Sequence, residues 1–162
     1  MEALNIKDDY ENGEISAENS LQLIAFSLGD QTYSVEITTV REIRAWNGAT
    51  PLPNTREFVR GVINLRGTIV PIFDLRARFG DGQTSPTKTH VVVVMSVGEK
   101  WVGILVDAVS DILTINKNDI HPVPEGNSSG DSELLRGIIT HNDQMVGMID
   151  LHAVIDGAKI EE

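Results

Sequence analysis

The sequence predicts an all-β chain made of two similar small barrels that pack against each other. Three observations carry that expectation. First, one unit occurs twice. Residues 57–79, EFVRGVINLRGTIVPIFDLRARF, lie without a gap over residues 133–155, ELLRGIITHNDQMVGMIDLHAVI, at an offset of 76. Glu57, Arg60, Gly61, Ile63, Asp74, Leu75 and Ala77 meet Glu133, Arg136, Gly137, Ile139, Asp150, Leu151 and Ala153. Such self-similarity marks one supersecondary unit used twice. Second, hydrophobic residues are 41% of the chain but aromatics only 5%, so the core is mostly Val, Ile and Leu. Those side chains fit pleated surfaces. Third, short apolar runs recur with turn residues between them, the pattern of small barrels or a sandwich.

The segments follow in order. Residues 1–20 carry six carboxylates against Lys7 alone. Too little apolar surface is present to offset ordering entropy, so a disordered acidic tail is expected. Residues 21–28 form an apolar strand, Gly29-Asp30 a turn, and residues 31–37 a return strand with Tyr33, Val35 and Ile37 alternating against polar neighbours. Residues 40–44 place charges between apolar anchors. Prolines hold Pro51-Leu52-Pro53-Asn54 extended, and Thr55 is positioned to cap a short helix through Phe58. Residues 61–66 and 68–73 form the central hairpin. Pro71 removes a ladder donor, which places its strand at an edge, a bulge or a strand end. Asp74 caps a short helix over 75–79.

Residues 80–87, GDGQTSPT, form a linker. The first half then repeats. Residues 91–97 and 101–106 are strands around Gly98-Glu99, and 109–112 mirrors 40–43 at an offset of 69. The growth of the offset to 76 places extra residues in the polar loop 124–132. The folded part thus spans 21–156, with barrels at about 21–80 and 88–156 and strand exchange between them left open. Residues 157–162 form a C-terminal tail. Neither barrel has much core alone, so the two are expected to share one.

Composition narrows the function. A net charge of −11 repels phosphate backbones, so no nucleic-acid partner is expected. The chain has no cysteine, hence neither a disulfide framework nor a thiolate metal site. No run approaches the roughly 18 apolar residues of a membrane span. No signal peptide is visible, which makes the cytoplasm the expected compartment.

Chemistry-bearing motifs are sparse. Phosphate-binding loops, the nucleophile elbow and HExxH are absent. His90, His121, His141 and His152 make no close ligand pair, so no metal or cofactor is expected. Asp107 and Asp111 read as turn and surface carboxylates, and Asp74 and Asp150 as helix caps. Arg66 stands apart. It sits in the turn Asn64-Leu65-Arg66-Gly67, which the second copy replaces with Thr140-His141-Asn142-Asp143. A feature of one copy only is a candidate for function rather than folding. Arginine offers a planar five-donor fork suited to interfaces, although a solvated surface side chain remains the plain reading. Glu42 is its expected partner if the segment 40–44 approaches the turn.

Three runs carry a family likeness: LIAFSLGDQTYSVEITTVREIR, FVRGVINLRGTIVPIFDLRARF and VGILVDAVSDIL. In this order and spacing they resemble the CheW family of bacterial chemotaxis coupling proteins, over about residues 21–155. The resemblance implies two intertwined five-stranded, SH3-like β-barrels with a shared hydrophobic interface and no enzymatic activity. It implies an adaptor that joins the cytoplasmic tips of chemoreceptors to the regulatory domain of a CheA-type histidine kinase. That kinase domain has the same fold and alternates with the coupling protein in rings. It places partner contacts at Glu42, Asn64, Arg66 and Gly67, with Val40 and Gly61 in the same neighbourhood. Ile37, Val40 and Ile43 are expected near an apolar receptor groove between the barrels. The acidic tail is outside the family pattern. Two other readings stay open. One is a detached regulatory module of a kinase or a receiver-bearing protein. The other is a small β-barrel enzyme or ligand-binding protein, which needs a pocket with convergent polar groups.

Overall fold

The computed structural model describes residues 19–124 and 133–156. Residues 1–18 and 157–162 of the expected tails, and nearly all of the loop 124–132, lie outside the described residues. The described residues form ten strands and two short α-helices. The strands are β1 (Ser20–Leu28), β2 (Gln31–Glu36), β3 (Val40–Ala45), β4 (Val59–Leu65), β5 (Thr68–Asp74), β6 (Val91–Val97), β7 (Lys100–Val106), β8 (Ala108–Asn116), β9 (Leu135–His141) and β10 (Gln144–Ile149). The helices are α1 (Leu75–Arg78) and α2 (Leu151–Ile155). The mainly-β class read from the sequence holds.

The strands pair across the repeat. One sheet has the order β8-β1-β2-β10-β9 and the other β3-β6-β7-β5-β4. Each therefore joins a hairpin from one half of the chain to a hairpin from the other. The junctions are short and parallel: Thr32–Ser34 of β2 along Val146–Met148 of β10, and Ile72–Asp74 of β5 along Gly103–Leu105 of β7. The three residues Ile37–Thr39 form a 3-10 turn that carries the chain from the first sheet into the second.

Packing follows the same plan. Leu23, Leu113, Ile139 and Met148 fill the concave side of the first sheet, and Leu65, Val70, Val92 and Leu105 fill the second. A larger cluster draws on both sheets, including Phe26, Val35, Phe73, Val93, Met95, Ile104 and Val154. Tyr33 of β2 stacks on Phe79 behind α1, with centroids 4.8 Å apart. Burying aliphatic side chains of this kind stabilises by about 1.5–3 kcal/mol each, which makes the shared cluster the dominant tie between the sheets.

Three expectations need correction. The SH3-like barrels do not close: β8 and β9 bound one sheet, β3 and β4 the other. A single bridge reaches each of two edges, Thr50 to Val62 and His121 to Ile138. The next residues are Pro51 and Pro122, which carry no N–H to extend the ladder. The proposed helix through Phe58 is absent. Thr55 Oγ1 instead donates to the Leu52 carbonyl at 3.3 Å, and β4 begins at Val59, leaving no room for a second turn. The strand bearing Pro71 is interior, not an edge. The parallel ladder to β7 starts one residue later at Ile72, so no partner awaits the missing donor. The segment 80–87 is the expected linker, without helix or strand, and it is pinned by the buried Thr84 and by Gln83 Nε2, which donates to the Glu57 carbonyl at 2.7 Å.

Candidate partner-binding site

Arg66 and Gly67 are the two central residues of the β4–β5 turn, flanked by the paired Leu65 and Thr68. Both have positive φ, 52° and 92°. A two-residue hairpin of this hand requires that, and it suits Asn-Gly rather than Arg-Gly. Asn64 Oδ1 accepts from the Gly67 N–H at 2.8 Å and fixes the loop. The second copy keeps the conformation, with Asn142 at 52° and Asp143 at 64°. The scaffold of the turn therefore does repeat, and the chemistry on it does not.

The Arg66 side chain reaches across the mouth of the second sheet. Its Nη2 donates to Glu42 Oε1 at 2.8 Å, as the sequence led us to expect. Glu42 Oε2 lies 3.8 Å from Arg44 Nε. Glu42 sits on β3 and Arg66 beyond β4, the two edge strands of one sheet. A side-chain pair thus spans a gap the backbone leaves open. Arg66 is 69% exposed and Glu42 27%. An exposed pair of this type contributes about 0.2–1 kcal/mol. Left-handed backbone costs a residue with a Cβ about 1–2 kcal/mol. On these magnitudes the pair does not offset the backbone cost of arginine at this position.

Between β3 and β4 lies a cleft of about 470 Å³, lined by residues that include Arg44, Trp46, Asn47, Thr50, Ile63 and Asn64. Arg60 stacks over Trp46 at 5.9 Å. The first sheet has no counterpart at these positions. An offset of 69 lays Arg44 over Leu113 and Trp46 over Ile115, and both of those are buried in the core.

The eight residues marked in the sequence separate into four groups. Glu42, Asn64, Arg66 and Gly67 come together at the turn. Ile37 and Val40 lie half-buried at the crossing between sheets, where Val40 packs on the shared core. Ile43 points away from Glu42 and is 44% exposed. Gly61 is buried as the third residue of β4, and its place is structural. A Cβ there would lie 2.2 Å from the Thr50 carbonyl oxygen, and its φ is 139°.

Some features escaped the sequence reading. Ile43 and Ile69 are exposed, and so are their repeat mates Ile112 and Met145. Each end of the molecule therefore presents the same two apolar positions, which the two offsets would have revealed. Asp107 is the bend between β7 and β8, as expected of a turn residue, and it is also a hub. It accepts from the Gly29 N–H at 2.7 Å and from Arg76 Nη2 at 3.1 Å, and His90 Nε2 lies 3.4 Å away. Asp74 caps α1 through the Ala77 N–H as expected, but it is also fully buried and accepts from Thr84 N and Oγ1, each at 2.7 Å. Finally, an offset of 71 lays Thr50-Pro51-Leu52-Pro53 over His121-Pro122-Val123-Pro124. Part of the growth in offset thus falls before His121, and the repeat is more complete than the two blocks suggested.

Known proteins share this sequence and fold. The family model described as a CheW-like domain matches residues 22–159. A probable chemotaxis protein CheW of Rhizobium etli is 46% identical over 140 residues, covering 86% of this chain and 90% of its own. The chemotaxis protein CheW of Klebsiella aerogenes is 36% identical over 139 residues, covering 86% and 84%. The crystal structure of the scaffolding protein TtCheW from Thermoanaerobacter tengcongensis superposes with a TM-score of 0.79 at 33% identity, covering 87% and 91%. Nothing in these likenesses favours a small-ligand protein or an enzyme. The matched stretch is the one that carries the repeat, the interleaved sheets and the Asn64–Gly67 turn, and the chain belongs to the CheW-like domain family.

Proposed function

We propose that this chain is a non-catalytic coupling adaptor that joins the cytoplasmic tip of a methyl-accepting chemoreceptor to the regulatory domain of a CheA-type histidine kinase. In this reading it works in the cytoplasm, at receptor arrays. The observation that carries the reading is the Arg66–Glu42 pair on a strained turn that only one copy of the repeat arms. The relatives' names and the scaffolding role of the solved neighbour support the class of function. Among the described residues, no helix is long and apolar enough to cross a membrane.

The mechanism is mechanical. Two interleaved sheets on one shared core form a rigid block, so a partner on one face is held in fixed relation to a partner on another. Receptor conformations that dock differently then bias the kinase by their difference in affinity. A receptor tip made of paired helices suits helix-in-groove recognition beside Ile37, Val40 and Ile43. The repeat-related apolar pairs, Ile43 with Ile69 and Ile112 with Met145, give the block two similar ends for neighbours of like fold.

A pull-down with a purified CheA-type kinase and a receptor signalling fragment tests this, comparing the wild type with Arg66→Ala checked by circular dichroism. Binding of both partners by the wild type, and loss of one by the folded variant, is the expected result. Binding of neither by the wild type would leave the fold standing and remove the function.

A further inference from the structure

The charges of this chain are segregated. Residues 41–78 hold seven arginines against Glu42, Glu57 and Asp74, in a protein of net charge −11. Two of those three carboxylates are already matched, Glu42 by Arg66 and Asp74 by Arg60. Arg41 and Arg56 have no carboxylate at ion-pair distance among the described residues, and both are exposed. The segment before Asn19 holds six carboxylates and one lysine.

The basic stretch also contains the cleft between β3 and β4. Both walls are sheet edges, and Thr50 occupies only Val62 of β4. Such an edge takes up an extended segment as an added strand. The lining is mainly polar, with Arg44, Asn47 and Asn64 among it, and the half-buried Trp46, Ala49 and Ile63 supply its apolar part. In the acidic segment, Leu4 and Ile6 alternate with Asn5 and Lys7, and Asp8, Asp9 and Glu11 follow. That is one apolar face of strand periodicity beside a run of negative charge.

We propose that the acidic N-terminal segment docks in cis in the β3–β4 cleft, with Leu4 and Ile6 against Trp46 and the carboxylates that follow beside Arg44 and Arg66. Reach permits it. With Ile6 in the cleft, the twelve residues 7–18 span up to about 45 Å to Asn19 when extended, against a breadth of roughly 40 Å for a compact domain of this size. In the first sheet the buried Leu113 and Ile115 take the positions of Arg44 and Trp46. The docking does not depend on what the face binds in trans.

The chain has no cysteine, so Asn12→Cys in the full chain takes a single nitroxide label. Paramagnetic broadening should concentrate on the Trp46 indole and the amides of β3 and β4. It should disappear at about 0.5 M NaCl, where the screening length falls to about 4 Å. It should also disappear in Arg44→Glu, and in a full chain with Glu2, Asp8, Asp9, Glu11, Glu14 and Glu18 made neutral, a change that leaves the folded domain untouched. Broadening confined to the neighbours of Asn19, spread evenly, or unchanged by both variants overturns the proposal. So does broadening that arises only between a labelled chain and a separate isotope-enriched chain, which would place the segment on a second copy.

Discussion

Arg66 and Asn142 stand at the same turn position in the two copies of the repeat, with φ of 52° in each, and the Arg66 side chain crosses the sheet mouth to Glu42. Asparagine is at home in that conformation and arginine is not. The comparison separates what the turn needs from what the site needs.

Arg66→Asn should therefore stabilise the fold while weakening partner binding. Relief of about 1–2 kcal/mol of backbone strain outweighs loss of an exposed pair of about 0.2–1 kcal/mol. Urea unfolding should show a gain of roughly 0.5–1 kcal/mol with an unchanged slope. A clear loss of stability would mean that the pair is structural.

Three glycine substitutions should rank by geometry. Gly61→Ala places a Cβ 2.2 Å from backbone at a positive φ and should cost roughly 3 kcal/mol or more. Gly137→Ala meets only the Ile120 methyl at 2.5 Å and the His121 oxygen at 3.0 Å, and should cost about 1–2 kcal/mol. Gly67→Ala has open space but a φ of 92°, for about 1 kcal/mol. Thermal or urea denaturation of the three variants reads the order directly.

The repeat supplies its own control for buried carboxylates. Asp150→Ala removes a cap on the Ala153 N–H and should cost about 1 kcal/mol. Asp74→Ala removes the same cap, leaves the buried Thr84 hydroxyl without its acceptor and takes the carboxylate from the part-buried Arg60. Loss of one partner of a buried charge network costs about 3–5 kcal/mol. Equal effects at the two positions would deny Asp74 its second role.

Asp107 ties the β1–β2 turn, α1 and the segment before β6 together through Gly29, Arg76 and His90. Asp107→Ala should lower stability by about 1–2 kcal/mol, allowing for partial exposure. Asp111→Ala, exposed on β8, should change it by less than about 0.5 kcal/mol. Comparing their unfolding midpoints distinguishes a hub from a surface carboxylate.

The strands, the two helix caps and the repeat were legible because their signals are local: alternation, turn residues and an Asp before each short helix. The Glu42–Arg66 pair was legible because both sit in charged segments beside strands and one copy lacks the arginine. The interleaving came only from the family resemblance, which implied intertwined barrels. Parallel contacts such as Tyr33 with Gly147 join residues far apart in the chain, and no local pattern encodes which hairpin they choose. Barrel closure failed on a signal that was present, the prolines after Thr50 and His121. The Asp107 hub was hidden for another reason. Its donors come from three separate elements, and only the folded chain brings them to one carboxylate.

The central claim is that the Asn64–Gly67 turn exists for a partner rather than for the fold. Titrating a CheA-type kinase fragment and a receptor signalling fragment with wild type, Glu42→Ala, Arg66→Ala and the double variant tests it most directly. The account predicts at least a roughly tenfold loss of affinity, about 1.4 kcal/mol, for one partner in folded Arg66→Ala, with less than additive loss in the double variant. Unchanged affinity for both partners in that folded variant would contradict it.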